Sequence, residues 1–148
     1  MSEYLVFGFA DDRYGIGIES IEEVQRLVWL TPVPEAPGEV CGVLDLHGRA
    51  VAVIDPADRL GGQPRALRID DYLLIMRAGG HQVALCVHEV LGVVAGTPEP
   101  SPPEVQAAVF VEGILEGEGG LITVINPDLF LRSSTRAALE GLAPAHDA

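Results

Sequence analysis

Residues Gly42–Leu60 (GVLDLHGRAVAVIDPADRL) return without a gap as Gly113–Leu131 (GILEGEGGLITVINPDLFL), a shift of 71 positions. Seven of the 19 aligned positions are identical: Gly42, Leu44, Gly48, Val53, Ile54, Pro56 and Leu60 match Gly113, Leu115, Gly119, Val124, Ile125, Pro127 and Leu131. Val43/Ile114, Asp45/Glu116, Val51/Ile122 and Asp55/Asn126 are conservative pairs besides. A fainter echo precedes each copy, Tyr4-Leu-Val-Phe against Tyr72-Leu-Leu-Ile. Two copies of one supersecondary unit must bury two similar apolar faces, so the fold has to place them against each other. The units run over about 4–60 and 72–131 of 148 residues, a length for one ordinary domain or two very small ones sharing a core.

Within each copy the apolar residues follow the period of strands. Tyr4–Phe9 and Tyr72–Met76 are short aromatic and branched runs, followed by the turns Ala10-Asp-Asp-Arg13 and Ala78-Gly-Gly-His81. Tyr14–Ile18 and Gln82–Val87 come back from those turns, and Tyr14, Ile16 and Ile18 alternate with small residues. That is the pattern of a hairpin with one buried face. Gly42–Leu46 and Arg49–Ile54 form a second hairpin across His47-Gly48, where glycine relieves the strain of a tight turn; the repeat puts Glu118-Gly119-Gly120 there. Each unit therefore reads as a small β-barrel. Asp55-Pro56 and Asn126-Pro127 each set a capping side chain before a proline, the start of a helix. The first helix is stopped by Gly61-Gly62; the second is predicted to run through Leu129, Arg132 and Ala137 to about Gly141, with a frayed tail beyond. Ser20-Ile21-Glu22-Glu23 fits a capping box, with Ile21, Val24 and Val28 on one face of a short predicted helix. The four prolines of 97–103 (TPEPSPP) predict a rigid exposed connector.

Charge narrows the function. Lys and Arg number 9 against 22 Asp and Glu, a formal net charge of −13, which repels nucleic acid and anionic lipid. The apolar runs fall far short of the roughly 18 residues of a membrane span. No basic, apolar, small-residue signal opens the chain, so it is expected to stay in the cytoplasm. Cys41 and Cys86, each in an apolar stretch, read as buried reduced thiols. His47, His81, His88 and His146 have no second ligand at metal-site spacing, and no glycine-rich loop suits phosphate. Asp11-Asp12, Glu22-Glu23 and Asp70-Asp71 sit at turns and segment starts, as solvated surface does. The expectation is no cofactor, no metal and no catalysis. What remains is binding, through the crease between two barrels and through sheet edges.

The order Tyr14-Gly-Ile-Gly-Ile18, Ile21-Glu-Glu-Val24, Pro34-Glu-Ala-Pro37, Gly42-Val-Leu-Asp-Leu-His-Gly48 and Val53-Ile-Asp55 resembles the CheW family. So do the proline-rich connector, Gly113-Ile-Leu and Leu121–Asn126, and the likeness covers about residues 3–132. It implies an all-β fold: two tandem SH3-like five-stranded β-barrel subdomains with short helical turns and a C-terminal helix. Residues 1–133 would form the domain, with subdomains at about 14–66 (plus swapped strand contributions) and 72–131, and 134–148 the helix end and tail. The likeness also implies a non-enzymatic adaptor that couples the cytoplasmic tip of methyl-accepting chemoreceptors to the regulatory domain of a CheA-type histidine kinase. In that family the helical tip lies in the groove between the barrels and the kinase domain docks barrel to barrel. Carried over, the groove takes Ile21, Glu23 and Val24 on one wall, Asp45, His47 and Gly48 at the hairpin turn, and Val87 and Val90 within Leu85–Val90 on the other. Ile21 and Val24 would be apolar anchors and Glu23 a rim contact for a basic receptor residue. An ordinary core role stays open for Ile21, Val24 and the Leu85–Val90 wall, and a purely structural one for Gly42 and Gly48.

Departures from the family pattern carry their own expectation. Its hairpin turn normally reads Asn-Leu-Arg-Gly, whereas this chain has Asp45-Leu46-His47-Gly48. A planar five-donor guanidinium gives way to an imidazole, and a carboxylate is added. The chain starts almost at its first strand, and Pro98–Val111 is a few residues tighter. These changes imply an atypical adaptor, with receptor binding retained and kinase binding weakened or lost. Two other readings stay open: a regulator docking on a kinase or other enzyme outside receptor arrays, and a small-molecule-binding β-barrel enzyme.

Overall fold

The computed structural model describes residues 1–61, 66–105, 107–131, 135–137 and 139. The first copy supplies β1 (Ser2–Phe9), β2 (Asp12–Gly17), β3 (Ile21–Arg26), β4 (Val40–Leu46) and β5 (Arg49–Ile54), then α1 (Ala57–Leu60). The second supplies β6 (Tyr72–Ala78), β7 (His81–Val87), β8 (Glu89–Gly96), β9 (Val111–Gly117) and β10 (Gly120–Ile125), then α2 (Pro127–Phe130). Both copies thus share one order: hairpin, single strand, hairpin, helical turn.

The sheets do not follow the copies. One is ordered β8-β1-β2-β10-β9 and the other β3-β6-β7-β5-β4, so each copy lends its first hairpin to the other's sheet. Each loan is sealed by a parallel pair. Thr123 and Val124 of β10 lie beside Tyr14 and Gly15 of β2, and Ala52–Ile54 of β5 lie beside Val83–Leu85 of β7. The remaining strand contacts are antiparallel hairpin and edge pairings.

Each sheet curls until its ends meet. In the second, Thr31 and Val43 exchange main-chain hydrogen bonds of 2.9 and 2.8 Å, joining the segment after β3 to β4. In the first, Glu99 and Ile114 do the same, at 2.9 and 2.8 Å. Val43 and Ile114 are repeat partners, and so are the glycines just before them. A Cβ on Gly42 would stand 2.9 Å from the Thr31 carbonyl oxygen, and one on Gly113 would stand 2.5 Å from that of Glu99. Glycine recurs there because the closing segment crosses directly over the strand. Bulges recur as well. Cys41 and Glu112 are the extra residues of β4 and β9, Glu22 and Leu91 those of β3 and β8. Such insertions bend a strand and increase its twist, as closure requires.

Three apolar clusters result. The largest lies between the sheets and mixes Phe7 and Ile16 with Ile54, Leu74, Met76, Leu85, Val87 and Phe130. Leu44, Val51, Val53, Leu73, Ile75 and Ala84 fill the second sheet, and Tyr4, Val6, Leu115, Ile122 and Val124 the first. β6 and β7 are therefore buried on both faces, which is why they read as unbroken apolar runs. Arg59 of α1 fastens the copies further, donating through Nε to the Phe130 carbonyl at 2.8 Å with its guanidinium over the Phe110 ring.

Several expectations change. Ser20 begins no helix: a 3₁₀ turn occupies Ile18–Ser20, and Ile21–Arg26 is strand β3 on the open edge of β6. Six residues are too few for an isolated helix, and β6 offers them a ladder of hydrogen bonds instead. The two helix starts do form alike, Asp55 Oδ1 accepting from the Ala57 N–H and Asn126 Oδ1 from the Asp128 N–H, each at 2.9 Å. But α2 is not continuous to Ala137. Leu131 turns extended (φ −73°, ψ 139°), and helical backbone reappears at 135–137. Arg132 and the predicted frayed tail beyond Gly141 lie outside the described residues. The proline-rich connector is mostly exposed, yet Glu99, with a main-chain donor between two prolines that lack one, closes a sheet. Cys86 is buried while Cys41 is only half-buried.

Two measurements test this architecture. Gly113→Ala should cost about 1–3 kcal/mol in urea unfolding, through overpacking against the closing segment. Gly38→Ala, where an added Cβ meets nothing within 4 Å, should be near neutral. Burial, with the Asp55 carboxylate adding to it, pushes the Cys41 thiol up to about 12. Alkylation at Cys41, followed by mass spectrometry, should climb about tenfold per pH unit without a plateau at the ordinary thiol value of about 8.5.

Candidate functional site

The chain crosses from one sheet to the other at equivalent places in its two copies. The first crossing is the 3₁₀ turn Ile18–Ser20 between β2 and β3; the second is His88, between β7 and β8. His88 is pinned there: its N–H donates to the Gly8 carbonyl at 3.0 Å, its Nδ1 accepts from the Ala10 N–H at 3.0 Å, and its ring stacks on Phe9. Both strands that leave the crossings, β3 and β8, are edges of their sheets, and both carry a bulge.

Those edges and the first crossing expose apolar side chains. Val24 of β3 is 39% exposed, Leu91 and Val93 of β8 are 44% and 52%, and Ile18 on the first crossing is 38%. Ile21 and Val90 lie partly buried against the core between the sheets and support the edges from within. Val87, placed on the second wall by its sequence position, is fully buried in that core and touches no solvent. Val87 and Val90 border the same core, but Val87 is sealed within it while Val90, beyond the crossing at His88, is only partly buried.

The predicted turn residues gather with Glu23. His47 Nε2 stands 3.8 Å from Glu23 Oε1, so the β4–β5 turn reaches over the barrel end to β3. Glu23 Oε2 is buried and accepts no hydrogen bond among the described residues. Neighbouring Glu22 is differently placed, beside Arg77 at 3.5 Å and accepting from Gln82 Nε2 at 2.8 Å. The turn itself is a two-residue hairpin with φ of +53° at His47 and +87° at Gly48, a geometry that suits glycine and strains an imidazole-bearing residue. Asp45 relieves that strain by accepting the Gly48 N–H at 2.9 Å. Its carboxylate serves the turn, and His47 projects into solvent with its side chain 82% exposed. On β9, burial, with the Glu19 carboxylate adding, raises the Glu112 carboxyl above its ordinary range.

Sequence reading missed Ile18, Leu91 and Val93 because nothing in an apolar run marks which residue a bulge will turn outward. It also passed over the strongest exposed aromatic, Trp29, which is 97% exposed on the segment between β3 and Thr31. Among the described residues no three of His, Cys, Asp and Glu come together as metal ligands would, and no helix is long and apolar enough to cross a membrane.

Known proteins share this arrangement. The chain is 25% identical over 141 residues to chemotaxis protein CheW of Rhizobium meliloti, covering 92% of this chain and 91% of that protein. It is 25% identical over 143 residues to protein FrzA of Myxococcus xanthus, covering 93% and 89%. The crystal structure of scaffolding protein TtCheW from Thermoanaerobacter tengcongensis superposes with a TM-score of 0.74 and 32% identity, over 84% of this chain and 88% of that one. The family model described as CheW-like domain matches residues 3–135. With the exchanged hairpins and the two five-stranded sheets, that match across nearly the whole chain places this protein in the CheW-like domain family.

Proposed function

We propose that this protein is a non-enzymatic chemotaxis adaptor that works in the cytoplasm and joins a chemoreceptor's helical tip to a CheA-type histidine kinase. The observation that carries this reading is the set of apolar side chains left exposed on the edge strands β3 and β8 and on the first crossing. Val24, Leu91, Val93 and Ile18 stay exposed on two bulged edges whose inner neighbours, Ile21 and Val90, are held by the shared core. Apolar side chains held out on a strand edge suit the apolar face of a helix, which docks through side chains at helical spacing. Glu23, with one oxygen buried and unmatched, suits a basic residue at the helix edge, a contact worth up to about 1 kcal/mol. Relatives named for chemotaxis and for scaffolding support the same role.

The kinase arm is the weaker one in this proposal. Where the family carries arginine, His47 offers at most two donors, and the nearby Asp45 carboxylate is engaged by the Gly48 N–H.

Separate titrations with a soluble receptor cytoplasmic fragment and with a kinase regulatory domain test both arms. Receptor binding should be the tighter of the two. Val24→Asp should weaken it by about tenfold, the cost of losing one apolar anchor, with an unchanged unfolding midpoint. His47→Arg should strengthen binding of whichever partner meets the turn. Kinase binding as tight as receptor binding would overturn the weakened arm; no receptor binding at all would leave a regulator acting outside receptor arrays.

A further inference from the structure

A second surface lies on the barrel formed by the β3-β6-β7-β5-β4 sheet, along the segment that follows β3. A groove of about 520 Å³ opens there, with Leu27, Leu30, Cys41 and Leu67 in its lining. Leu27, Leu30 and Cys41 also rest on that barrel's own core, so the groove is backed by fixed side chains. Its rim is unlike the rest of the molecule. Trp29, the chain's only tryptophan, is 97% exposed, and Ile69 is 88% exposed. Among the described residues Arg68 is the one charged residue in the lining, on a chain whose net charge is −13.

We propose that this face binds a second copy of the same chain, each copy's Trp29 entering the other's groove about a two-fold axis. The knob and the hole belong to one face, which is what a two-fold contact requires. A foreign partner would have to bring its own aromatic knob; a second copy brings Trp29. The hole matches that knob chemically. Beside its own Trp29 its walls are mostly aliphatic, the Cys41 thiol stays protonated and neutral, and the Arg68 guanidinium can lie over the entering indole as a cation over a π face. A tryptophan buries roughly 150–250 Å². With Ile69 and the half-exposed Val28 and Leu67 from both copies, the contact approaches the roughly 1,000 Å² that a specific interface clears. Two bodies of like net charge repel, so salt should tighten this dimer, opposite to a contact held by unlike charges.

Sedimentation velocity and emission of the single tryptophan, over a dilution series at low and high salt, test the proposal with the intact chain. The expected result is a monomer–dimer equilibrium that shifts toward dimer by several-fold with added salt. Tryptophan emission should move to shorter wavelength in step with dimer formation. Trp29→Ser and Ile69→Lys, both at exposed positions, should give monomers with unchanged circular dichroism. Val24→Asp, which probes the β3 edge, should leave the dimer intact, so this contact and the receptor-binding reading fail separately. A monomer at high concentration and high salt overturns the proposal, as does a dimer that survives Trp29→Ser. So does an emission shift seen only when receptor fragment or kinase domain is added, because the groove would then serve another occupant.

Discussion

The two parallel strand pairs, β2 with β10 and β5 with β7, hold everything else in place. They are where one copy's hairpin is accepted into the other copy's sheet. Without them and the antiparallel β1–β8 and β3–β6 pairs beside them, each sheet would keep only three strands from one copy, with a long open edge and an apolar face turned to water. With them, both sheets reach five strands and close on themselves through the equivalent Thr31–Val43 and Glu99–Ile114 pairings. The exchange also dictates the core. Because hairpins are traded, the largest apolar cluster lies between the sheets, and neither copy owns it.

Function inherits this geometry. Trading hairpins obliges the chain to cross between sheets twice, at Ile18–Ser20 and at His88, and each crossing leads into a strand at the edge of its sheet. An edge strand is exposed by position, and a bulge decides which of its side chains faces out. The exposure of Val24, Leu91 and Val93 is thus a by-product of closing a duplicated fold. The β4–β5 turn is shaped by a similar economy. Asp45 holds Gly48 and lets His47 project, so one residue tunes the surface while its neighbour keeps the backbone.

The legible parts were those governed by local chemistry. The tight turn at His47-Gly48, the paired helix starts at Asp55 and Asn126, and the strands of β1, β4, β5, β6 and β10 all follow from residues within a few positions of each other. The reading failed where a distant segment outbid a local signal. Ser20-Ile21-Glu22-Glu23 carries a helix start, but the edge of β6 offers Ile21–Arg26 a full set of main-chain partners, and the strand wins. Val87 and Val90 looked alike as apolar members of one β-rich stretch; one is sealed in the shared core, and the other, beyond the change of sheets at His88, is only partly buried against it.

The amino-acid sequence alone determined the duplication, the β character of both copies, their turns and caps, and an acidity that disfavours nucleic acid and anionic membranes. These depend on neighbours along the chain and on total composition. Only the tertiary structure decided that the copies trade hairpins, that Gly42 and Gly113 make room for a crossing backbone, and that Trp29, Val24, Leu91 and Val93 stay in water. The reason is physical: exposure and close approach are properties of segments far apart in sequence, set by which strands pair and on which side a bulge turns the chain.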